Sequence, residues 1–268
     1  MSENLSPRQS MGPLSVGNVV SAGLRLYRDR FKLYFRLAFT GYLWVLVPIY
    51  GWAKYSAISG LISRLAFREL IERPETVSEA RSHVNPKMWS FFGAGLLVGL
   101  IVFGVVFGAV IVFSIVGGIL VAILGQNSTT GIVVLVLLGI AAFVLFLFGY
   151  LWLLSRLFIV EVPLAIEDDV DAVSAISRSW KLTEGFVLRL VGVVSVAFLL
   201  TLPISIVVQI FSTIIQLVLA AFVPPDSPNF FFLLYLLILP ISFASGSLLM
   251  PFWQAIKAVI YYDLRSRR

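Results

Sequence analysis

Apolar residues run almost unbroken through four stretches of the chain, residues 91–124, 131–154, 190–222 and 230–252. A helix needs about 20 apolar residues to cross a hydrocarbon core of about 30 Å, and each stretch is long enough. The first, roughly 34 residues, would measure about 51 Å at about 1.5 Å per residue. It is expected to tilt, to leave the membrane or to break, with Gly117-Gly118 as its weak point. Polar links at 125–130 and 223–229 join these stretches in pairs, and the second, Val-Pro-Pro-Asp-Ser-Pro-Asn, is a helix stop. Asn127-Ser128-Thr129 in the first link fits a glycosylation acceptor pattern but reads as a turn close to the membrane.

A fifth apolar region, 37–62, contains Pro48, Gly51 and Lys54. It reads either as one crossing or as two shorter helices, roughly 31–47 and 52–70, bent at Pro48 to Gly51. The distribution of basic residues separates the two. Of 20 Lys and Arg, six precede Leu37, six lie between Lys54 and Lys87, four between Arg156 and Arg189, and four from Lys257 onward. A single crossing would strand the first group on the far side, whereas a bend puts every basic residue in one aqueous phase. The expectation is an all-α polytopic membrane bundle of about six membrane helices, arranged as three hairpins with both termini cytoplasmic. Four crossings plus a re-entrant hairpin is the alternative.

The polar connections are patterned too. In 14–36, Val16, Val20, Leu24, Tyr27 and Phe31 recur at helical spacing behind Ser15 as N-cap, while Arg25, Arg28, Lys32 and Arg36 share another face. This predicts a basic amphipathic helix in contact with anionic lipid headgroups. In 166–185, Glu167, Asp168, Asp169 and Asp171 crowd the first turn, Arg178 and Lys181 the last, and Gly185 follows as C-cap. Val170, Val173, Ile176 and Trp180 form its apolar stripe. A third short helix is expected from Pro74 to just before Pro86. The three share faint likeness (Val20-Ser21-Ala22, Val77-Ser78-Glu79-Ala80, Val173-Ser174-Ala175), as if one unit were used three times. The chain divides into a cytoplasmic tail with its basic helix, 1–36, and a single helical membrane domain, 37–268.

Composition narrows the function classes. Hydrophobic residues make up 59% and charged ones 13%, against about 45–50% and about 25% in soluble proteins, which excludes a water-soluble globule and disorder. With no Cys and one His, His83, the chain has no disulfide, thiolate metal site or paired-imidazole mechanism. Neither cofactor nor metal is expected. The net charge of +6 is placed beside apolar stretches, so it points to lipid headgroups and not to nucleic acid. The first fourteen residues are polar, contain Pro7 and Pro13, and form no signal-peptide core.

Ionisable residues at membrane depth are functional candidates. Here they are Lys54, Arg156, Glu161 and Lys257. Glu161 needs a cation, which any of the three bases can supply, and the absence of a second carboxylate in an apolar stretch favours an interfacial ion pair over a proton relay. Thr201, Ser205, Gln209, Ser212 and Gln216, spaced by 4, 4, 3 and 4, align on one helix face. That stripe suits a polar conduit, a site for a headgroup or small solute, or interhelical hydrogen bonds. Gly95-xxx-Gly99 and Gly104-xxx-Gly108 suit close helix packing, read as internal packing with a homodimer seam as the alternative. Trp44, Trp52, Trp89, Trp152 and Trp253 lie near stretch ends or the bend, as interfacial anchors.

Two segments carry a family likeness: Val162-Pro163-Leu164-Ala165-Ile166-Glu167 with Ala175-Ile176-Ser177-Arg178-Ser179-Trp180-Lys181-Leu182-Thr183-Glu184-Gly185, and Tyr261-Tyr262-Asp263-Leu264-Arg265. Together they resemble the bacterial membrane-domain family named after the region fused to some glycerophosphoryl diester phosphodiesterases, best from Ser155 onward. The resemblance implies a polytopic helical domain of about six helices and no activity, since the phosphodiesterase reaction belongs to a separate soluble barrel. The functional expectation is a non-enzymatic accessory or scaffolding protein of the bacterial inner membrane. The alternatives are a solute or lipid transporter using the 190–222 stripe, and a membrane subunit of a hydrolase.

Overall fold

A computed structural model describes residues 15–124 and 129–267. The tip around Asn127 and Ser128 and the N-terminal fourteen residues, with Pro7 and Pro13, lie outside the described residues. Every regular element among those described is helical: α1 (Val16–Asp29), α2 (Phe31–Trp44), α3 (Tyr50–Leu70), α4 (Val77–Val84), a 3-10 turn (Asn85–Lys87), α5 (Met88–Leu124), α6 (Thr129–Leu157), α7 (Glu161–Ile166), α8 (Ala172–Leu182), α9 (Val187–Ala220) and α10 (Pro228–Ser266). Four helical spans are long and apolar enough to cross a membrane: Val77–Leu124, Thr129–Ile166, Val187–Ala220 and Pro228–Ser266. They are compatible with a multi-pass membrane protein.

α1 begins where expected, with the Ser15 hydroxyl accepting the Asn18 N–H at 3.2 Å. It ends sooner than expected. Arg30 leaves helical geometry, its guanidinium donating to Glu69 at the end of α3 (3.0 Å from Nε, 3.1 Å from Nη2). The basic face is therefore divided: Arg25 and Arg28 belong to α1, Lys32 and Arg36 to α2. All four are exposed.

Region 37–62 forms two helices. Pro48 lacks a backbone N–H, Ile49 takes φ 62, and the chain reverses between α2 and α3, which then pack together. Gly51 permits this closeness, because a Cβ there would stand 1.8 Å from the Trp44 carbonyl oxygen. By contrast, α5 runs 37 residues straight through Gly117-Gly118. Of the three outcomes expected for this stretch the break does not occur, for a physical reason: in lipid an interrupted helix would expose backbone groups that nothing can satisfy. At about 1.5 Å per residue α5 is about 55 Å long, so it tilts or protrudes. α10 likewise continues beyond 252, carrying Pro240 and Pro251 within it.

The acidic segment also departs from expectation. Glu167, Asp168 and Asp169 precede α8, and Asp171 caps it, accepting the Ser174 N–H at 2.8 Å while the Ser174 hydroxyl accepts the Asp171 N–H. α8 turns Ala175 and Ser179 inward and leaves the stripe residue Val173 66% exposed. Gly185, at φ 80, makes the left-handed turn into α9. α4 starts at Val77 behind a Thr76–Glu79 capping box, three residues after Pro74.

Burial is concentrated at one end of the bundle. It takes in Met88, Phe91 and Ala94 at the start of α5, Leu153 to Leu157 at the end of α6, the start of α9, and the second half of α10. α3 and α7 pack against the ends of α5 and α10, while the ends of α6 and α9 join them through α5, α8 and α10. The opposite halves of α5, α6, α9 and α10 present Leu, Ile, Val and Phe outward, as a lipid solvent requires. Gly99 and Gly104 are part of that outward surface, Gly108 is half-buried and Gly95 borders a cavity near the start of α5; a Cβ on any of the four would meet nothing within 4 Å. The expected internal glycine packing is therefore not made. Close approaches occur instead at Gly51, Gly60 and Gly246.

Candidate functional site

The buried end holds a line of polar side chains inside an apolar shell. Ser59 and Ser63 lie one turn apart on α3, Gln254 and Lys257 one turn apart on α10, and Glu161 opens α7. The Ser63 hydroxyl donates to Gln254 Oε1 at 2.6 Å, and Gln254 Nε2 donates to Ser59 Oγ at 2.6 Å. Ser59 in turn donates to Glu161 Oε2 at 3.1 Å, and the Lys257 ammonium pairs with Glu161 Oε1. A carboxylate in this setting persists only if paired and hydrogen-bonded, and both oxygens are. Lys257 Nζ also stands 5.2 Å from the centroid of the Phe158 ring.

Of the three candidate cations, the structure brings only Lys257 to Glu161. Lys54 lies near the other end of α3, 5.8 Å from the centroid of the Tyr50 ring. Arg156 is buried between Trp152 and Trp180, 5.3 and 5.2 Å from the ring centroids, and donates from Nη1 to the Trp180 carbonyl at 2.9 Å. Ser179 returns a hydrogen bond to the Arg156 carbonyl at 2.6 Å, fastening α8 to α6. Trp152, expected as a headgroup anchor, thus also holds a cation.

A cavity of about 180 Å³ opens beside the ion pair, lined by Tyr55, Ser56, Ser59, Phe91, Glu161 and Lys257 among others. An apolar cleft of about 340 Å³ meets Lys257 from the side of α6 and α9, between Leu151, Leu154, Val191 and Val194. The two share Val98, Leu157, Phe158 and Lys257.

Toward the helix ends, charged side chains pair across elements. Arg64, 3% exposed, donates to Glu75 at 2.8 and 2.9 Å and to the Ala165 carbonyl at 2.9 Å, and Arg68 shares Glu75. Glu167 receives Tyr261 at 2.8 Å and Arg178 at 3.4 Å, so the two segments that carry the family likeness touch here. Asp263 takes Arg189 at 2.9 Å and Arg267 at 3.0 Å, and His83 pairs with Asp168. The acidic run therefore disperses to separate partners.

The α9 stripe is not gathered into this site. Thr201 is buried, its hydroxyl donating to the Phe198 carbonyl at 2.7 Å, and Ser212 is half-buried. Ser205, Gln209 and Gln216 are exposed on the outer face of α9. Sequence reasoning singled out Glu161 and Lys257 but missed Ser59, Ser63, Gln254 and Arg64. The serine pair one turn apart, facing a Gln and a Lys one turn apart, was the available signal.

No curated protein and no solved structure matches the chain. A family model described as a domain of unknown function (DUF7847) matches residues 37–264. Nothing in these comparisons links the chain to the phosphodiesterase-associated membrane domains that its motifs resemble. With most of its length matched, from α2 to the end of the buried bundle, the chain belongs to the DUF7847 family.

Proposed function

We propose that this protein is a non-enzymatic accessory or scaffolding component of a cell membrane, built as three helical hairpins with both termini cytoplasmic. The carrying observation is that the four basic groups are tied to one another. Arg30 reaches Glu69, the Lys87 ammonium donates to the Glu167 carbonyl, and Arg189 pairs with Asp263. Each tie joins one group to the next along the chain, which supports a single aqueous phase for all of them. α1, the start of α2 and α8 then lie at the headgroup layer, Arg25, Arg28, Lys32 and Arg36 facing lipid phosphate and Val173 and Trp180 the acyl boundary. On the family resemblance, the membrane is the bacterial inner membrane. The charged side chains described here serve mostly to hold helix ends, which favours a supporting role over catalysis.

The test pairs two measurements on the full chain. Proteoliposomes are expected to show no flux of polar solutes or lipid above protein-free vesicles. A photo-crosslinker at Val173 in native membranes is expected to trap a partner protein that is lost with Trp180→Ala. Flux that disappears with Gln209→Leu would overturn the proposal in favour of transport.

A further inference from the structure

We propose that the cavity beside Glu161 and Lys257, together with the apolar cleft that meets it, is a binding site for one phospholipid. Its phosphate sits against the Lys257 ammonium and an acyl chain lies along Leu154, Val191 and Val194. The proposal rests on the membrane setting argued above but on no partner protein.

Three observations carry it. The first is donor capacity. An ammonium has three N–H groups, and Lys257 is given Glu161 Oε1 and the Phe158 ring face, which leaves a donor unanswered by any described residue. A donor on a largely buried cation that lines a cavity favours an acceptor there, and a phosphate oxygen is the acceptor a bilayer supplies at this depth.

The second is the shape of the space. One cavity has a polar end, with the Ser56 and Ser59 hydroxyls, the Tyr55 phenol and the ion pair, and the other is walled by Leu and Val, with Lys257 lining both. A polar chamber bordering an apolar one, with Lys257 in the wall of both, fits an amphiphile better than a free ion or a hydrocarbon. The third is depth. Lys257 lies nine residues before the end of α10 at Ser266, about 13 Å at about 1.5 Å per residue, which places it just below the charged helix ends. The Glu161 charge disfavours a bare polyanion and leaves a single phosphodiester as the better ligand.

The experiment uses the purified full chain in detergent, with phosphatidylglycerol added as mixed micelles and bound lipid counted by native mass spectrometry. Wild type is expected to retain one phosphatidylglycerol after annular lipid is stripped. The double variant E161Q/K257M, which removes both charges together and so leaves no unpaired ion, is expected to bind at least about tenfold more weakly. Val194→Trp, which fills the apolar cleft and leaves the ion pair intact, is expected to do the same. Equal retention by all three proteins would overturn the proposal. So would stabilisation by inorganic phosphate alone matching that by the lipid, which would make this a site for a free anion. Lipid retention is read on isolated protein, so a failure of the scaffolding proposal leaves this result untouched.

Discussion

Arg64 shows how a single residue commits the buried end. Its guanidinium spends two donors on Glu75 and one on the Ala165 carbonyl, joining α3, the loop before α4 and α7. Removing one partner of a buried pair strands the other, at a typical cost of about 3–5 kcal/mol. Glu75 keeps Arg68, so Arg64→Ala is expected near the low end, about 3 kcal/mol, read as a fall in melting temperature in detergent. Asp171 gives a pH-dependent counterpart. The Ser174 hydroxyl and N–H hold its carboxyl below the ordinary aspartate value. Because the folded value is the lower one, the cap contributes fully above the unfolded pKa of about 3.9 and is lost as pH falls through the folded one. Protection of the Ser174 amide from hydrogen exchange should therefore hold steady from neutral pH to about 5 and drop below about 4. Asp171→Ala should lower protection at neutral pH and abolish the dependence. Capping residues of this kind are legible from spacing, as Ser15 was, whereas the choice among Glu167, Asp168, Asp169 and Asp171 depended on where the chain could turn after α7.

At the scale of elements, glycine has opposite meanings in two places. Gly51 lies against the Trp44 carbonyl, and a methyl group there collides with backbone that cannot move aside. Gly51→Ala is expected to cost at least about 2 kcal/mol, measured by thermal unfolding, and to open the α2–α3 turn. Gly104 faces open space, so Gly104→Ala should change stability by less than about 0.5 kcal/mol and leave the oligomeric state in detergent unchanged. The GxxxG spacing alone made both glycine pairs of α5 look like packing sites. Spacing describes a face of a helix, not what lies opposite it. The four long helices were legible because apolar runs of that length have one stable form in lipid. The division of 14–36 at Arg30 was only half legible: a helix starting near Phe31 was expected, but the amphipathic periodicity continues across the boundary, where Arg30 is held by Glu69, distant in sequence.

Considered whole, the molecule is a charged, interlocked base from which long apolar helices project. The chain has no cysteine, so single-cysteine variants map this directly. Arg25→Cys and Ser177→Cys should react with a membrane-impermeant maleimide from the same side, and Asp226→Cys from the opposite side. Val47→Cys reacting with Asp226→Cys would place the α2–α3 turn across the membrane, and reaction of Val47→Cys from neither side would make that pair re-entrant. Lipid as solvent, helix as the secondary structure and the break at Pro48 follow from residue order, because hydrophobicity, backbone satisfaction and the missing proline N–H act locally. The partner of Glu161 does not. Lys54, Arg156 and Lys257 were equivalent along the chain, and the selection came from α10 packing against α3 while Trp152 and Trp180 enclosed Arg156 elsewhere. Charge pairing is decided by distances of a few ångströms between segments far apart in sequence, and those distances exist only once the helices have packed.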